Sequence, residues 1–166
     1  MPCLNTLSLR ETITPDDLST IRELLTGTHK FEQAPDEIDV AVELAQIALD
    51  HNNTGEYLFF FAEENGQTVG FACYGKTACT LSTYDLYWIC TDVKAQHHGV
   101  GKFLINAVMD RMRQLGGRKL VIQTDGRADY EPTRRFYKSC GFQVEGQLKD
   151  YYAPGDDCVI FATFVE

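Results

Sequence analysis

The chain has no surplus of positive charge, no long apolar run and no linker. Its 166 residues hold 15 Lys and Arg against 24 Asp and Glu, a formal net charge of −9. An overall basic footprint for nucleic acid is therefore missing, and no nucleic-acid partner is expected. One stretch still leaves room for a local basic patch, because it holds His97, His98, Lys102, Arg111, Arg113, Arg118 and Lys119. No apolar run approaches the roughly 20 residues of a membrane span, so no membrane partner is expected. Residues 1–10 lack a basic region followed by an apolar run, which argues against a signal peptide. Repeats, low-complexity tracts and Pro/Gly/Ser-rich linkers are also missing, so residues 1–166 read as a single domain. Cysteine is not scarce, but paired spacing is. Cys3, Cys73, Cys79, Cys90, Cys140 and Cys158 include no C-x-x-C or zinc-ribbon pattern. Most sit among apolar residues, where a free thiol behaves as a small hydrophobe. The expectation is a reduced, cytoplasmic protein.

What is present is ordinary for a globular chain: 44% apolar and 23% charged residues. A domain of this size buries roughly 70% of its unfolded surface and needs no metal or disulfide staple. Thr14, Pro15 and Asp17 open a helix with a box-like cap, and Leu18, Ile21, Leu24 and Leu25 share one face before Gly27. Pro35, Asp36 and Glu37 start a second helix, with Ile38, Val42, Ala45 and Leu49 as its expected buried stripe. The period then changes to that of strands over 57–62 and 69–74, joined through Asn65-Gly66. A further strand is expected over 83–93, rich in Tyr, Trp, Ile and Thr. On it Trp88 points away from Tyr87 and reads as core. A long helix follows over 99–115, with Phe103, Leu104, Ala107, Val108 and Leu115 inward and Gly116-Gly117 as its stop. A strand over 120–124, a short helix over 132–140, and two strands over 142–148 and 158–164 complete the chain. The order β-α-α-β-β-β-α-β-α-β-β describes a layered α/β or α+β domain.

The chemistry concentrates in Gln96-His97-His98-Gly99-Val100-Gly101-Lys102, between a strand and an amphipathic helix. Glycines let backbone approach a ligand closely, and unpaired N–H groups at a helix start favour anions. This is a phosphate cradle made of backbone. Phe103 after Lys102 departs from a nucleotide-hydrolase P-loop, and Leu104 stands where a dinucleotide fingerprint needs its third glycine.

Gln96-His97-His98-Gly99-Val100-Gly101 resembles the [Gln/Arg]-x-x-Gly-x-[Gly/Ala] signature of the GNAT superfamily of acetyl-CoA-dependent N-acetyltransferases. A second element, Phe136-Tyr137-Lys138-Ser139-Cys140-Gly141-Phe142, is similar to that family's short helix and the Gly-Phe after it. The resemblance implies a mixed, mostly antiparallel central sheet splayed around the acyl-CoA site, with helices on both faces. It implies acetyl-CoA as acyl-donor cosubstrate, its pyrophosphate on the backbone of residues 97–102. Ile89, Cys90 and Thr91 would pair with the pantetheine arm, and Tyr137 would stand near the thioester sulfur. Val93 and His97 replace a proline and a glycine that the family often carries there, and the backbone donors remain.

Amide formation needs a neutral amine, while an alkyl amine is mostly protonated at neutral pH. A carboxylate or water chain must take a proton, and an N–H of a strand can stabilise the oxyanion. No covalent enzyme intermediate is required, so Cys90 reads as a packed strand residue. Asp85 is the first candidate for the base, followed by Asp125 and Asp150. Tyr84, Tyr87, Tyr151 and Tyr152 are candidates for the acceptor pocket. Asp150-Tyr151-Tyr152 before the last turn also resembles the acceptor region of protein and peptide N-terminal acetyltransferases. Against that branch, Gln123 stands where a Glu base is often found, and Tyr130 where an Asn often contacts the cofactor. Adjacent His97 and His98, without a third ligand, do not make a metal site. Asp156-Asp157 reads as turn chemistry. The expected function is transfer of an acetyl group to a primary amine, on a small molecule or a protein. The alternative is a catalytically weak CoA-binding protein of the same fold that regulates a partner. A homodimer is a further expectation, formed through an aromatic edge strand at 57–62 or through the C-terminal hairpin.

Overall fold

The computed structural model describes residues 6–166, so Cys3 lies outside the described residues. The elements are β1 (Ser8–Arg10), α1 (Asp16–Gly27), α2 (Asp36–Asp50), β2 (Leu58–Glu64), β3 (Gln67–Lys76), β4 (Thr83–Thr91), α3 (Val100–Gln114), β5 (Lys119–Asp125), α4 (Glu131–Ser139), β6 (Gln143–Ala153) and β7 (Asp156–Phe164). This is the order the sequence predicts. The seven strands form one sheet in the order β1-β2-β3-β4-β5-β7-β6. The pairs β1–β2, β2–β3, β5–β7 and β6–β7 are antiparallel, and β4–β5 is parallel. Two compact units divide the chain: residues 1–75 with 88–108, and residues 76–87 with 109–166.

In the first unit, the core gathers Ile21, Leu24 and Leu25 of α1 with Phe59, Phe61, Phe71 and Cys73 of β2 and β3. From α2 it takes Ile38, Ala41, Ala45 and Ala48, which corrects the expected stripe. Val42 is only partly buried and Leu49 half-buried. The buried face carries small alanines, which allow close approach of the helix to its neighbours. Asn65 and Gly66, at φ of 53° and 77°, make the two-residue turn between β2 and β3. The strand at 57–62 is not an edge. β1 pairs with Glu63, Ala62 and Phe61. Beyond β1, the Asn53 amide imitates a strand partner. It accepts from the Phe59 N–H at 2.8 Å and donates to the Phe59 carbonyl at 2.8 Å and the Glu11 carbonyl at 2.7 Å.

The box at Thr14 and Asp17 forms only by half: the N-cap is Pro15 with no side-chain cap bond, and the Thr14 hydroxyl donates to the Asp17 carboxylate instead of accepting from its N–H. The Asp17 carboxylate accepts from the Thr14 N–H at 2.7 Å and takes a bidentate pair from Arg10 at 2.8 and 2.9 Å. Arg10 also bonds Glu63 at 2.5 Å and lies 4.4 Å from the centre of the Phe61 ring. Asp17, 3% exposed, thus ties β1, β2 and α1 together. Burial raises its pKa, but the Arg10 and Thr14 hydrogen bonds and the Arg10 charge outweigh that, and the carboxyl sits below its ordinary 3.8.

In the second unit, β5 pairs along its whole length with β7, and β6 closes the sheet as an exposed edge. α4 ends in a Schellman motif. The Phe142 N–H donates to the Tyr137 carbonyl and the Gly141 N–H to the Lys138 carbonyl. Phe142 returns onto the Tyr137 ring, 6.1 Å away, which is the apolar contact that accompanies this cap. The same pattern ends α3, with the Gly117 N–H on Met112 and the Gly116 N–H on Arg113. Leu115 is 56% exposed, not inward, because it follows the last turn of α3. Met112 takes the buried position one turn earlier.

Candidate functional site

In the first unit the strand expected over 83–93 ends at Thr91, two residues early. The Asp92 N–H donates to the Val69 carbonyl at 2.8 Å, and the Asp92 carboxylate accepts from the Lys94 N–H at 2.9 Å. That cap starts a 3₁₀ turn over Val93–Ala95, which redirects the chain. His97 and Gly99 then take left-handed conformations, φ 68° and 79°. The latter suits glycine, since no side chain need be accommodated there. The first bond of α3 runs from the Phe103 N–H to the Gly99 carbonyl at 2.9 Å. The N–H groups of Gly99, Val100, Gly101 and Lys102 therefore lie ahead of the helical ladder. Gln96, His97, His98, Gly99 and Lys102 are exposed, Gly101 is half-buried and Val100 is buried. An exposed helix head with free donors and one lysine suits a pyrophosphate.

Ile89 and Thr91 are half-buried at the end of β4 and Cys90 is buried. Burial, with the nearby Asp92 charge, pushes the Cys90 thiol up to about 12, so it is no thiolate nucleophile at neutral pH. Trp88 is only partly buried, with its ring 5.7 Å from that of Phe31. The parallel β4–β5 ladder pairs Thr83, Tyr84, Asp85 and Leu86 with Lys119, Leu120, Val121 and Ile122. β4 runs on past that ladder to Thr91, and an extended chain such as pantetheine can use the strand's own polar groups there.

The second unit holds the remaining candidates. Tyr84 and Leu86 are buried, whereas Asp85 is half-buried and Tyr87 exposed on the opposite face of β4. The Tyr84 ring would stand 3.2 Å from a Cβ on Gly117, and so packs at the end of α3. Asp85 accepts a hydrogen bond from the Thr77 hydroxyl at 2.6 Å. Parallel pairing puts Asp85 and Val121 side by side, so Gln123 and Asp125 alternate onto that same face of β5. Tyr152 points its hydroxyl at the Cys158 sulfur, 3.7 Å away, and stands edge-on to Tyr151 with centroids 5.0 Å apart. Burial and the Cys158 contact, with further contributions from Asp125 and Tyr151, raise the Tyr152 pKa. Asp150, at φ 52°, spends its carboxylate on the Gly155 N–H at 2.8 Å. Asp157 accepts from the Asp150 N–H and from Gln147 and so shapes the hairpin, whereas Asp156 is buried and lies 3.9 Å from Arg127 Nε. Tyr137 is buried between Phe136, Phe142 and Phe161, whose centroids lie 5.6, 6.1 and 5.5 Å away. Burial first, then Cys140 and Tyr130, raises its pKa, so the phenol stays protonated.

The model of the acetyltransferase (GNAT) family matches residues 18–142. The chain is a GNAT acetyltransferase. It is 30% identical over 115 residues to the [ribosomal protein bS18]-alanine N-acetyltransferase of Escherichia coli K12, covering 67% of this chain and 74% of that one. A crystal structure assigned to the GNAT acetyltransferases, from Desulfovibrio desulfuricans, superposes with a TM-score of 0.91 at 40% identity, over 97% of this chain and all of that one. An aminoglycoside 6′-N-acetyltransferase in complex with coenzyme A shares the fold, with a TM-score of 0.76 at 16% identity over 97% of each chain. The acyl donor of this GNAT acetyltransferase is acetyl-CoA, the cosubstrate of its family.

Sequence reasoning missed two features next to the candidate residues. One is Thr77, which precedes β4 and bonds Asp85. Nothing local marks it, since the pair depends on how the loop before β4 folds back. The other is Gly70, inside β3. A glycine within an apolar strand is itself a sign of close backbone approach.

Proposed function

We propose that the protein moves the acetyl group of acetyl-CoA directly to a primary amine of a small molecule, protein or peptide. One observation carries the reading: the strand–turn–helix junction at residues 91–103 leaves the donors of Gly99, Val100, Gly101 and Lys102 ahead of the first helical bond. Those donors, with Gln96, His97 and His98 beside them, hold the pyrophosphate. Ile89, Cys90 and Thr91 pair with the pantetheine arm and orient the thioester carbonyl. Asp85 takes a proton from the incoming ammonium, through water or directly, and the neutral amine attacks the acetyl carbon. Tyr137, kept protonated by burial, donates a hydrogen bond or proton to the sulfur as the C–S bond breaks, and the second proton lost by the attacking nitrogen makes this good, so that CoA leaves as the thiol and Tyr137 ends protonated. Tyr87, Tyr151 and Tyr152 line the acceptor site, and Tyr84 supports it from the buried face. The relative that acetylates an alanine of protein bS18 is named for an amine acceptor, which supports this class.

Gln123, exposed on β5 where a related branch often carries Glu, favours a second reading as a CoA-binding regulator. Thiol release from acetyl-CoA with a panel of primary amines separates the two. Amine-dependent release supports the enzyme. Tight acetyl-CoA binding with no release across the panel supports the regulator. We also place the protein in the reducing cytoplasm, on the free thiols of Cys73, Cys79, Cys90 and Cys158. A homodimer through the exposed β6 edge is consistent with Val144, Leu148 and Tyr151 standing open there. The net charge of −9 disfavours a nucleic-acid partner. Among the described residues no helix is long and apolar enough to cross a membrane.

A further inference from the structure

We propose that Gly70 is a positioning residue for acetyl-CoA, setting the distance between the end of β4 and the head of α3. The inference rests on the assignment of those two segments to pantetheine and pyrophosphate. A Cβ at Gly70 would lie 2.8 Å from the Cys90 carbonyl oxygen, 2.8 Å from Val100 Cγ1 and 3.3 Å from Leu104 Cδ1. The first neighbour is backbone and cannot rotate away. The other two belong to side chains buried at 1% and 0% exposure, one turn apart on α3. One residue earlier, the Val69 carbonyl accepts from the Asp92 N–H at 2.8 Å. Val69 and Gly70 thus grip both ends of one connection: Cys90 and Asp92 on its strand side, Val100 and Leu104 on its helix side. The glycine is needed for space, because β3 must run against both walls at once.

A cosubstrate held at two points reads the distance between them. An added methyl forces β3 away from the Cys90 carbonyl, from α3, or from both. Close-packed interiors do not absorb such a shift without displacement. The pyrophosphate donors themselves stay intact, because they belong to the first turn of α3. A ligand that uses only those donors is therefore insensitive to the change, whereas the whole cosubstrate is not.

The test compares two ligands by calorimetric titration. One is acetyl-CoA; the other is 3′-phospho-ADP, which keeps the pyrophosphate and lacks the pantetheine arm. For Gly70→Ala we expect acetyl-CoA affinity to fall at least roughly tenfold and 3′-phospho-ADP affinity by less than roughly threefold. A purely structural role lowers the melting temperature and moves both affinities alike, or neither; either result overturns the proposal. If Gly70→Ala does not fold, the pair Gly70→Ala with Leu104→Ala removes the Leu104 Cδ1 contact, leaves the cradle residues unchanged and keeps the carbonyl contact. The same selective loss is expected of it, and equal loss of both ligands overturns the proposal. Gly101→Glu keeps this result separate from the cradle assignment. That variant must weaken both ligands, and if it binds both as tightly as the parent, the underlying cradle assignment fails.

Discussion

At the scale of single residues, Tyr137 shows why a motif and a packing reading need not compete. Its ring is held by Phe136, Phe142 and Phe161, and this same burial keeps the hydroxyl protonated. Removing only the oxygen leaves the packing in place. Tyr137→Phe should lower single-turnover acetyl transfer by roughly 100-fold or more at saturating acetyl-CoA, with CoA affinity nearly unchanged. Equal rates, with chemistry rate-limiting, would assign sulfur protonation to water or the acceptor. Asp85→Asn should lower turnover more than acetyl-CoA affinity; turnover equal to the parent's removes Asp85 from the role of base. Asp17 belongs to stability instead. Its folded pKa lies below its unfolded one, so its contribution is present above about pH 4 and is lost as pH falls through the folded value. Arg10→Met leaves that carboxylate buried without its guanidinium, and about 3 kcal/mol of unfolding free energy at pH 7 should be lost. Denaturant titrations of both proteins at pH 7 and pH 2 check this. The loss should shrink at the lower pH, as Asp17 takes up a proton.

At the scale of elements, the proposed cradle sits at a helix head and the helix faces carry the fold. Glycines at 99 and 101 made a strand-to-helix junction legible, because such a junction needs few residue types to expose its N–H groups. Gly101→Glu adds bulk and negative charge to the cradle, yet an acid in the first turn suits the helix dipole. Acetyl-CoA binding should therefore collapse in calorimetry while the melting temperature holds; unchanged affinity would refute the cradle. The faces were less legible. In α2 the buried set is Ile38, Ala41, Ala45 and Ala48, while Val40 and Ile47 stand exposed. Apolar periodicity alone prefers the larger residues. The real face is chosen by what lies opposite, and there alanines fit where Val or Ile would be too large.

At the scale of the whole molecule, a net charge of −9 favours a cationic acceptor over an anionic one. For such an amine, kcat/KM should fall as salt rises from about 0.01 to 0.3 M, because the Debye length shortens from about 30 Å to below 10 Å. Salt-independent rates, or preference for acidic acceptors, would contradict steering. Edge closure is decided at this scale as well. β2 is rich in Phe and looks like an open edge in one dimension, yet β1 and the Asn53 amide cover it, and the sheet's edges are the three-residue β1 and the long β6.

The sequence by itself determined the order of elements, the Asn65-Gly66 turn, the glycine-bearing start of α3 and the Phe-Tyr helix with its Gly-Phe end. These depend on periodicity, capping and local backbone conformation, all of which act within a few residues. Tertiary structure alone decided that Arg10 reaches both Asp17 and Glu63, that Thr77 holds Asp85, and that Gly70 must have no side chain. Each of these links residues on different elements. Such contacts are set by which elements meet and how closely, and a hydrophobic pattern read along one chain carries no record of the distance across to the next.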